Sequence, residues 1–115
     1  MGEDAKAAYY ERQRWYRMRA KFGLEREDYE RMLAEQGGIC PCGASPENER
    51  YSTLSVDHDR RCCPENKSCG RCLRGLLCND CNVSLGRLKD DPNRLDILAA
   101  YLRRYESLKR EKQPA

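Results

Sequence analysis

The residues able to do chemistry gather in two short stretches. Ser55-Val56-Asp57-His58-Asp59 holds the only histidine in the chain, beside a carboxylate at the end of a strand-like run. Arg74-Gly75-Leu76-Leu77-Cys78-Asn79-Asp80-Cys81-Asn82 carries a Cys-x2-Cys pair with an asparagine directly after it. A neutral imidazole, with an ordinary pKa of about 6.5, suits a general base at neutral pH. Asp57 and the amide carbonyl of Asn82 are hard oxygen donors, suited to Mg²⁺ or Mn²⁺ rather than zinc. A lone histidine is more often structural than catalytic. Here its carboxylate neighbour, its place at a strand end and the tie that Cys81 gives to the Asn82 helix all favour chemistry. Successive strand residues face opposite ways, so Asp57 and His58 serve one site only if the backbone twists or bulges there.

The eight cysteines fall into two sets. Cys40, Cys42, Cys78 and Cys81 make a four-thiolate zinc site, since tetrahedral Zn²⁺ takes four soft donors and two short-spaced pairs supply them while closing a long loop. The Cys40-Pro41-Cys42 half is tighter than the usual two-residue spacing. Such a site is closed and structural, and in small zinc peptides its binding free energy, on the order of 10 kcal/mol, is folding free energy. Cys62, Cys63, Cys69 and Cys72 admit three assignments: a second zinc, three ligands with a spare thiol, or disulfides. Adjacent cysteines diverge, so Cys62 and Cys63 bind one ion only across a turn. The zinc count expected is one or two per chain.

These sites need positioning, and composition says that core packing alone does not supply it. In 115 residues, 36% are charged and there is one Phe and one Trp. One domain of this size and polarity needs staples. No apolar run is long enough for a bilayer, and the start of the chain lacks a signal-peptide core. The expected setting is a reducing cytoplasm, where paired cysteines are metal ligands or redox groups; a secreted disulfide domain is the alternative. The net charge of +3 is uneven: residues 1–21 carry six Lys/Arg against three acids, 22–60 four against nine, and 61–115 twelve against seven. The basic flanks fit a phosphate backbone, although mixed-charge helices are usually only solvated.

The elements follow from pattern. Residues 4–22 read as a helix with Trp15, Met18 and Phe22 in one stripe, either a docking helix with a wet face or a basic arm along DNA. Gly23 breaks it. Residues 25–36 form a second helix with Tyr29, Met32 and Leu33 inward and no Ser, Thr, Asp or Asn at its start; Gly37-Gly38 stops it. Tyr51 to Val56 reads as a strand, 60–72 as a cysteine-rich loop, and Leu73 to Leu77 as the second strand of a hairpin. A helix over 79–88 follows, then an Asp91-Pro92 cap and a helix over about 92–111 with Leu95, Leu98, Leu102 and Tyr105 in register. The tail Gln113-Pro114-Ala115 is expected to be loose.

The pattern Gln36-Gly37-Gly38-Ile39-Cys40, Val56-Asp57-His58-Asp59, Arg74-Gly75-Leu76-Leu77-Cys78-x2-Cys81-Asn82 and Leu85-Gly86, closing on Tyr101-Leu102, resembles the phage recombination endonuclease VII family, within the HNH or ββα-metal nucleases. The resemblance covers roughly residues 25–105. It implies a small, zinc-stabilised α+β fold: an N-terminal helical arm over 1–36, a zinc-braced ββα-metal core over 37–90, and a C-terminal helix and tail over 91–115, folding as one unit. It implies that His58 activates water against a phosphodiester. Asp57 and Asn82 would hold one Mg²⁺, and Cys40, Cys42, Cys78 and Cys81 the structural zinc. Products would carry a 5′ phosphate and a 3′ hydroxyl. Family members cut branched DNA as intertwined dimers, which leaves a homodimer open here without settling the oligomeric state; the setting is the bacterial host cytoplasm if the chain is phage-encoded. The chain departs from the family at Cys40-x-Cys42, at Arg60 where many members have a second histidine, and in the cysteine-rich insertion.

Arg60, Arg61, Lys67, Arg71 and Arg74, in or beside the hairpin loop, are the candidate DNA-binding residues, with Arg74 equally able to serve as a structural side chain. Two other functions compete. A non-catalytic zinc module would bind nucleic acid or protein without needing Asp57, His58 and Asn82 together. A redox protein using Cys69-x2-Cys72 lacks the βαβ context. Random duplex, nicked duplex, flap and four-way junction are all open as substrates.

Overall fold

The computed structural model describes residues 2–112 of the chain. Among these, α1 (Glu3–Phe22), α2 (Arg26–Glu35), β1 (Ser55–His58), β2 (Leu73–Leu77), α3 (Asn79–Arg87) and α4 (Pro92–Lys112) make a small α+β fold of four helices and a two-stranded sheet. The chain divides into two compact units, Met1–Asn82 and Val83–Ala115. The expectation for Gln113-Pro114-Ala115 lies outside the described residues.

In the first unit, α1 ends where Gly23 takes the left-handed conformation (φ 66°), its N–H reaching the Arg19 carbonyl at 3.0 Å. Gly supplies that conformation without a Cβ clash. The stripe docks: Trp15 meets the edge of the Tyr29 ring with centroids 5.6 Å apart, and the Arg14 guanidinium covers Trp15 at 4.7 Å. Helix α2 has a cap that lacks the usual residue types. Asp28, three residues in, accepts from the Glu25 N–H at 3.1 Å, and this amide, with Arg31 beside it, holds the Asp28 carboxyl below its ordinary range. Tyr29 is buried and its hydroxyl donates to the Leu54 carbonyl at 2.7 Å, fixing α2 to the start of the hairpin.

The first strand begins later than its alternation suggests. Arg50–Ser52 is a short 3-10 turn in which Tyr51 and Ser52 take positive φ (63° and 53°), and the Tyr51 side chain is exposed. Leu54 and Val56 are still buried, together with Leu24, Leu76 and Leu77. Strands β1 and β2 pair antiparallel, Ser55 opposite Leu77 and Val56 opposite Leu76, with a shift of register between Asp57 and His58. That shift is a bulge, which re-aims side chains at the end of a strand.

Gln36 fixes this hairpin to α2. Its amide oxygen accepts the Leu76 N–H at 2.8 Å, and its amide nitrogen donates to the Leu76 and Ile39 carbonyls at 2.9 and 3.1 Å. The side chain thus occupies the outer edge of β2 as a neighbouring strand would. It passes so close to Gly75 that an added Cβ there would lie 3.0 Å from the Gln36 oxygen.

In the second unit, Lys89 and Asp90 adopt left-handed φ (61° and 53°) after α3, and the Asp90 N–H returns to the Leu85 carbonyl at 2.8 Å. The Asp91 carboxylate then accepts the Asn93 N–H at 2.9 Å, so α4 starts with the side-chain cap and first-turn proline that Asp91-Pro92 encodes. Ile97, Leu98, Tyr101, Leu102, Tyr105 and Leu108 are exposed along α4.

Gln36→Ala strands the Leu76 N–H and carbonyl together. It should destabilise the fold by roughly 1–3 kcal/mol, read as a lower midpoint in urea with an unchanged slope; a shift within error would show that water replaces the amide at no cost.

Candidate active site

Asp57 is 4% exposed and faces two guanidinium groups. Arg74 grips it through two parallel bonds, Nε to Oδ2 and Nη2 to Oδ1, each 2.9 Å. Arg60 approaches the same Oδ1 at 3.9 Å. The Arg60 Nη2 also donates to the Asn82 side-chain oxygen at 3.1 Å and to the Asn82 backbone carbonyl at 3.2 Å. A buried carboxylate is tolerated only when paired, and the forked Arg–carboxylate arrangement is the strongest such pairing.

The Asp57 carboxylate and the Asn82 carbonyl therefore converge on one cation, the Arg60 guanidinium. The two donors, a carboxylate and a neutral amide oxygen, are of the type that Mg²⁺ and Mn²⁺ prefer. Asn82 reaches this position because α3 starts at the thiol cluster. The Glu49 carboxylate accepts the Asn79 N–H at the helix start, where the dipole favours an acid.

His58 is 7% exposed, with the Phe22 ring centroid 6.2 Å from its own. Its Nε2 lies 2.9 Å from the Cys63 carbonyl and 2.9 Å from the Glu65 carbonyl. Carbonyl oxygens only accept, so Nε2 carries a proton, and in the neutral ring the lone pair sits on Nδ1. The ring is thus oriented and its basic atom selected by the 60–72 loop.

Both thiol sets are compact. The Sγ atoms of Cys40, Cys42, Cys78 and Cys81 lie within 4.8 Å of one another, as do those of Cys62, Cys63, Cys69 and Cys72. A zinc tetrahedron with bonds of about 2.3 Å has edges of about 3.8 Å, and Cys42–Cys78 and Cys62–Cys69 are each 3.8 Å apart. All eight cysteines are free thiols. The one-residue spacing at Cys40-Pro41-Cys42 is absorbed by a turn, Gly43 N–H to Cys40 carbonyl at 2.8 Å. The Cys62-Cys63 pair converges because both amides bond the Asp59 carbonyl at 3.1 Å. In each set amide donors favour a thiolate. Burial pushes the Cys40 thiol up, but the Cys42 and Cys78 amides outweigh it and bring it to about 7. The Arg71 amide and the Cys62 thiol bring Cys69 to about 6, while bonds to Cys69 and Cys72 push Cys62 up to about 12. The thiolate is the ligating form.

Among the candidate DNA-binding residues, Arg61, Lys67 and Arg71 lie on the loop and are all exposed. Arg60 and Arg74 are engaged at the site. Sequence reasoning gave no role to Gln36, Glu49 or Phe22; Gln36 and Phe22 stood in recognised patterns, but no local signal marks their distant partners.

Arg74→Ala leaves the Asp57 carboxylate with a weakened partner and should cost on the order of 3 kcal/mol. Asp57→Asn in that background should recover part of the loss. A double-mutant cycle by thermal unfolding reads the coupling, and strict additivity would show that the pair contributes nothing.

A family model described as recombination endonuclease VII matches residues 13–104. No curated protein and no solved structure matches the chain significantly. The match spans both thiol sets and the Asp57, His58 and Asn82 positions, so the chain belongs to the recombination endonuclease VII family, and a DNA endonuclease is what its site has to explain.

Proposed function

We propose that this chain is a divalent-metal-dependent DNA endonuclease of the ββα-metal (HNH) type, with its core over residues 37–90. The observation that carries the reading is the bulged hairpin end, where Asp57 and Asn82 meet on one cation while the neighbouring imidazole is held by Nε2. His58 acts as general base through Nδ1, taking the proton of a water as it attacks phosphorus. Asp57 and Asn82 would hold Mg²⁺ or Mn²⁺, which supplies charge stabilisation for the phosphate and the leaving 3′ oxygen. Arg74 orients the Asp57 carboxylate. Attack with departure of the 3′ oxygen leaves a 5′ phosphate and a 3′ hydroxyl.

Cys40, Cys42, Cys78 and Cys81 hold a structural zinc that ties the start of α3, and so Asn82, to the turn after α2. Arg61, Lys67 and Arg71, on the loop beside the site, are the cations that follow a phosphate backbone. Arg60 shifts between Asn82 and a substrate phosphate. Branched DNA is the substrate class that membership of a recombination endonuclease family supports. The apolar residues exposed along α4 support a homodimer. No helix among the described residues is long and apolar enough to cross a membrane.

The deciding experiment is a cleavage panel on linear, flap and four-way junction DNA with Mg²⁺ or Mn²⁺, comparing the parent with His58→Ala. Removing the base should lower cleavage by about 10²–10⁴-fold with the fold retained. Equal cutting would remove His58 from the mechanism, and salt-sensitive binding with no cutting under any divalent ion would return the protein to the zinc-module reading. Separately, Arg61→Ala, Lys67→Ala and Arg71→Ala should weaken DNA binding more at low salt than at high salt, the salt slope falling by about 0.9 for each phosphate left without its cation; a residue whose removal changes neither does not touch DNA.

A further inference from the structure

The 60–72 loop has no helix or strand, and most of its residues are exposed. It nevertheless holds the one histidine ring of the chain. The two carbonyls that hold His58 Nε2 belong to Cys63 and Glu65. Both lie on the segment bounded by the Cys62-Cys63 pair on one side and Cys69-x2-Cys72 on the other. Packing does not fix a polar loop of this kind, because it buries too little apolar surface to offset its conformational entropy.

Three sets of interactions connect this loop to the site. At its mouth, the Asp59 N–H donates to the Cys72 carbonyl at 2.8 Å, so the thiol cluster is continuous with the ends of both strands. Within it, the Cys69 N–H donates to Cys63 Sγ at 3.3 Å and the Ser68 hydroxyl lies 3.1 Å from Cys72 Sγ, drawing the two halves onto the same group of sulfur atoms. At its far side, the Ser68 N–H donates to the Lys21 carbonyl at 2.7 Å, and Gly70 lies beside the Phe22 carbonyl, which an added Cβ would meet at an ordinary contact distance of 3.5 Å. Phe22 in turn is the aromatic neighbour of His58.

We propose that Cys62, Cys63, Cys69 and Cys72 bind a second zinc ion whose role is to position the base: by cross-linking the loop it fixes the two carbonyls that hold the proton on His58 Nε2 and leave Nδ1 free. The four cysteines are positioning residues and touch no reacting atom. The proposal rests on the reading of His58 as the base, and extends it by making the orientation of that base conditional on a soft metal outside the reacting centre. It also gives the insertion a function, since a spare stabilising site has no reason to direct two carbonyls at one imidazole.

The chain's single histidine makes the test direct. In ¹⁵N-labelled full-length protein, a long-range ¹H–¹⁵N spectrum of the ring should show one tautomer, protonated at Nε2, in a chain that holds two zinc ions. Cys69→Ser/Cys72→Ser should retain one zinc, show an averaged mixture of tautomers, and lose roughly 10- to 100-fold in kcat with KM for DNA little changed, as a misaligned base would give. If that variant does not fold, the same spectrum is recorded on the parent after one equivalent of zinc is withdrawn by a chelator, with the freed thiols located by alkylation and mass spectrometry; the tautomer should average on removal and be restored by zinc. One zinc per native chain overturns the proposal, as does an unchanged tautomer and kcat once the loop thiols are free. Cleavage at the parent rate by His58→Ala would instead remove the base assignment and leave the ring spectrum standing, so the two failures are distinct.

Discussion

A chain that buries few apolar side chains must fix its geometry by directional bonds. Among the described residues the buried apolar set is Leu24, Tyr29, Leu54, Val56, Leu76 and Leu77, with Cys40 and Cys78 beside them. That is a thin core for 115 residues of which 36% are charged. The first unit is therefore organised by a few long-range bonds with demanding geometry. Tyr29 reaches Leu54, Gln36 reaches Leu76, Glu49 reaches Asn79, and the first thiol set draws the turn after α2 to the start of α3. Each joins segments far apart in the chain. Removing one would be felt across the unit in a way that deleting a methyl from a large core is not.

The same economy shapes the site. A flat two-stranded hairpin would send Asp57 and His58 to opposite faces. The register slips opposite them, where Gly75 pairs with Asp57 and Leu73 with His58, leaving Arg74 as the extra residue on β2. There Arg74 is within reach of the Asp57 carboxylate. The acid is thereby paired in a buried position, with a planar donor setting its orientation. Arg60 joins that acid to Asn82 from the other side.

Much of this was legible in the sequence, and the part that was not has a common cause. Helix bounds followed from Gly23, Gly37-Gly38 and Asp91-Pro92, because glycine conformations and proline geometry act locally. The span of β2 followed from its short apolar run. The two thiol sets followed from spacing, and the alternation of strand residues set a twist or bulge as the condition for Asp57 and His58 to serve one site. What escaped notice was non-local or ran against propensity. Tyr51 and Ser52 hold left-handed conformations that nothing in their types suggests, and so β1 starts late. Glu25 and Asp28 cap α2 reciprocally, each side chain accepting from the other's amide, although Glu is not among the usual residue types at that start. Arg60 read as a loop cation and Arg74 as either a DNA contact or a structural side chain, yet both face a buried carboxylate that only the folded hairpin brings to them. The lone imidazole stood out in the sequence, but the carbonyls that hold its Nε2 belong to main chain, which carries no residue signature.

Gln36 has one more consequence. A two-stranded ribbon has open sides, and each exposes main-chain donors and acceptors that can recruit a strand from another molecule. By taking both the N–H and the carbonyl of Leu76, the Gln36 amide removes the middle of β2 from that role. A side chain here does the work that a third strand or an edge lysine does elsewhere. It protects a sparingly packed protein against the intermolecular β-stacking to which its apolar Leu76-Leu77 stretch would otherwise expose it.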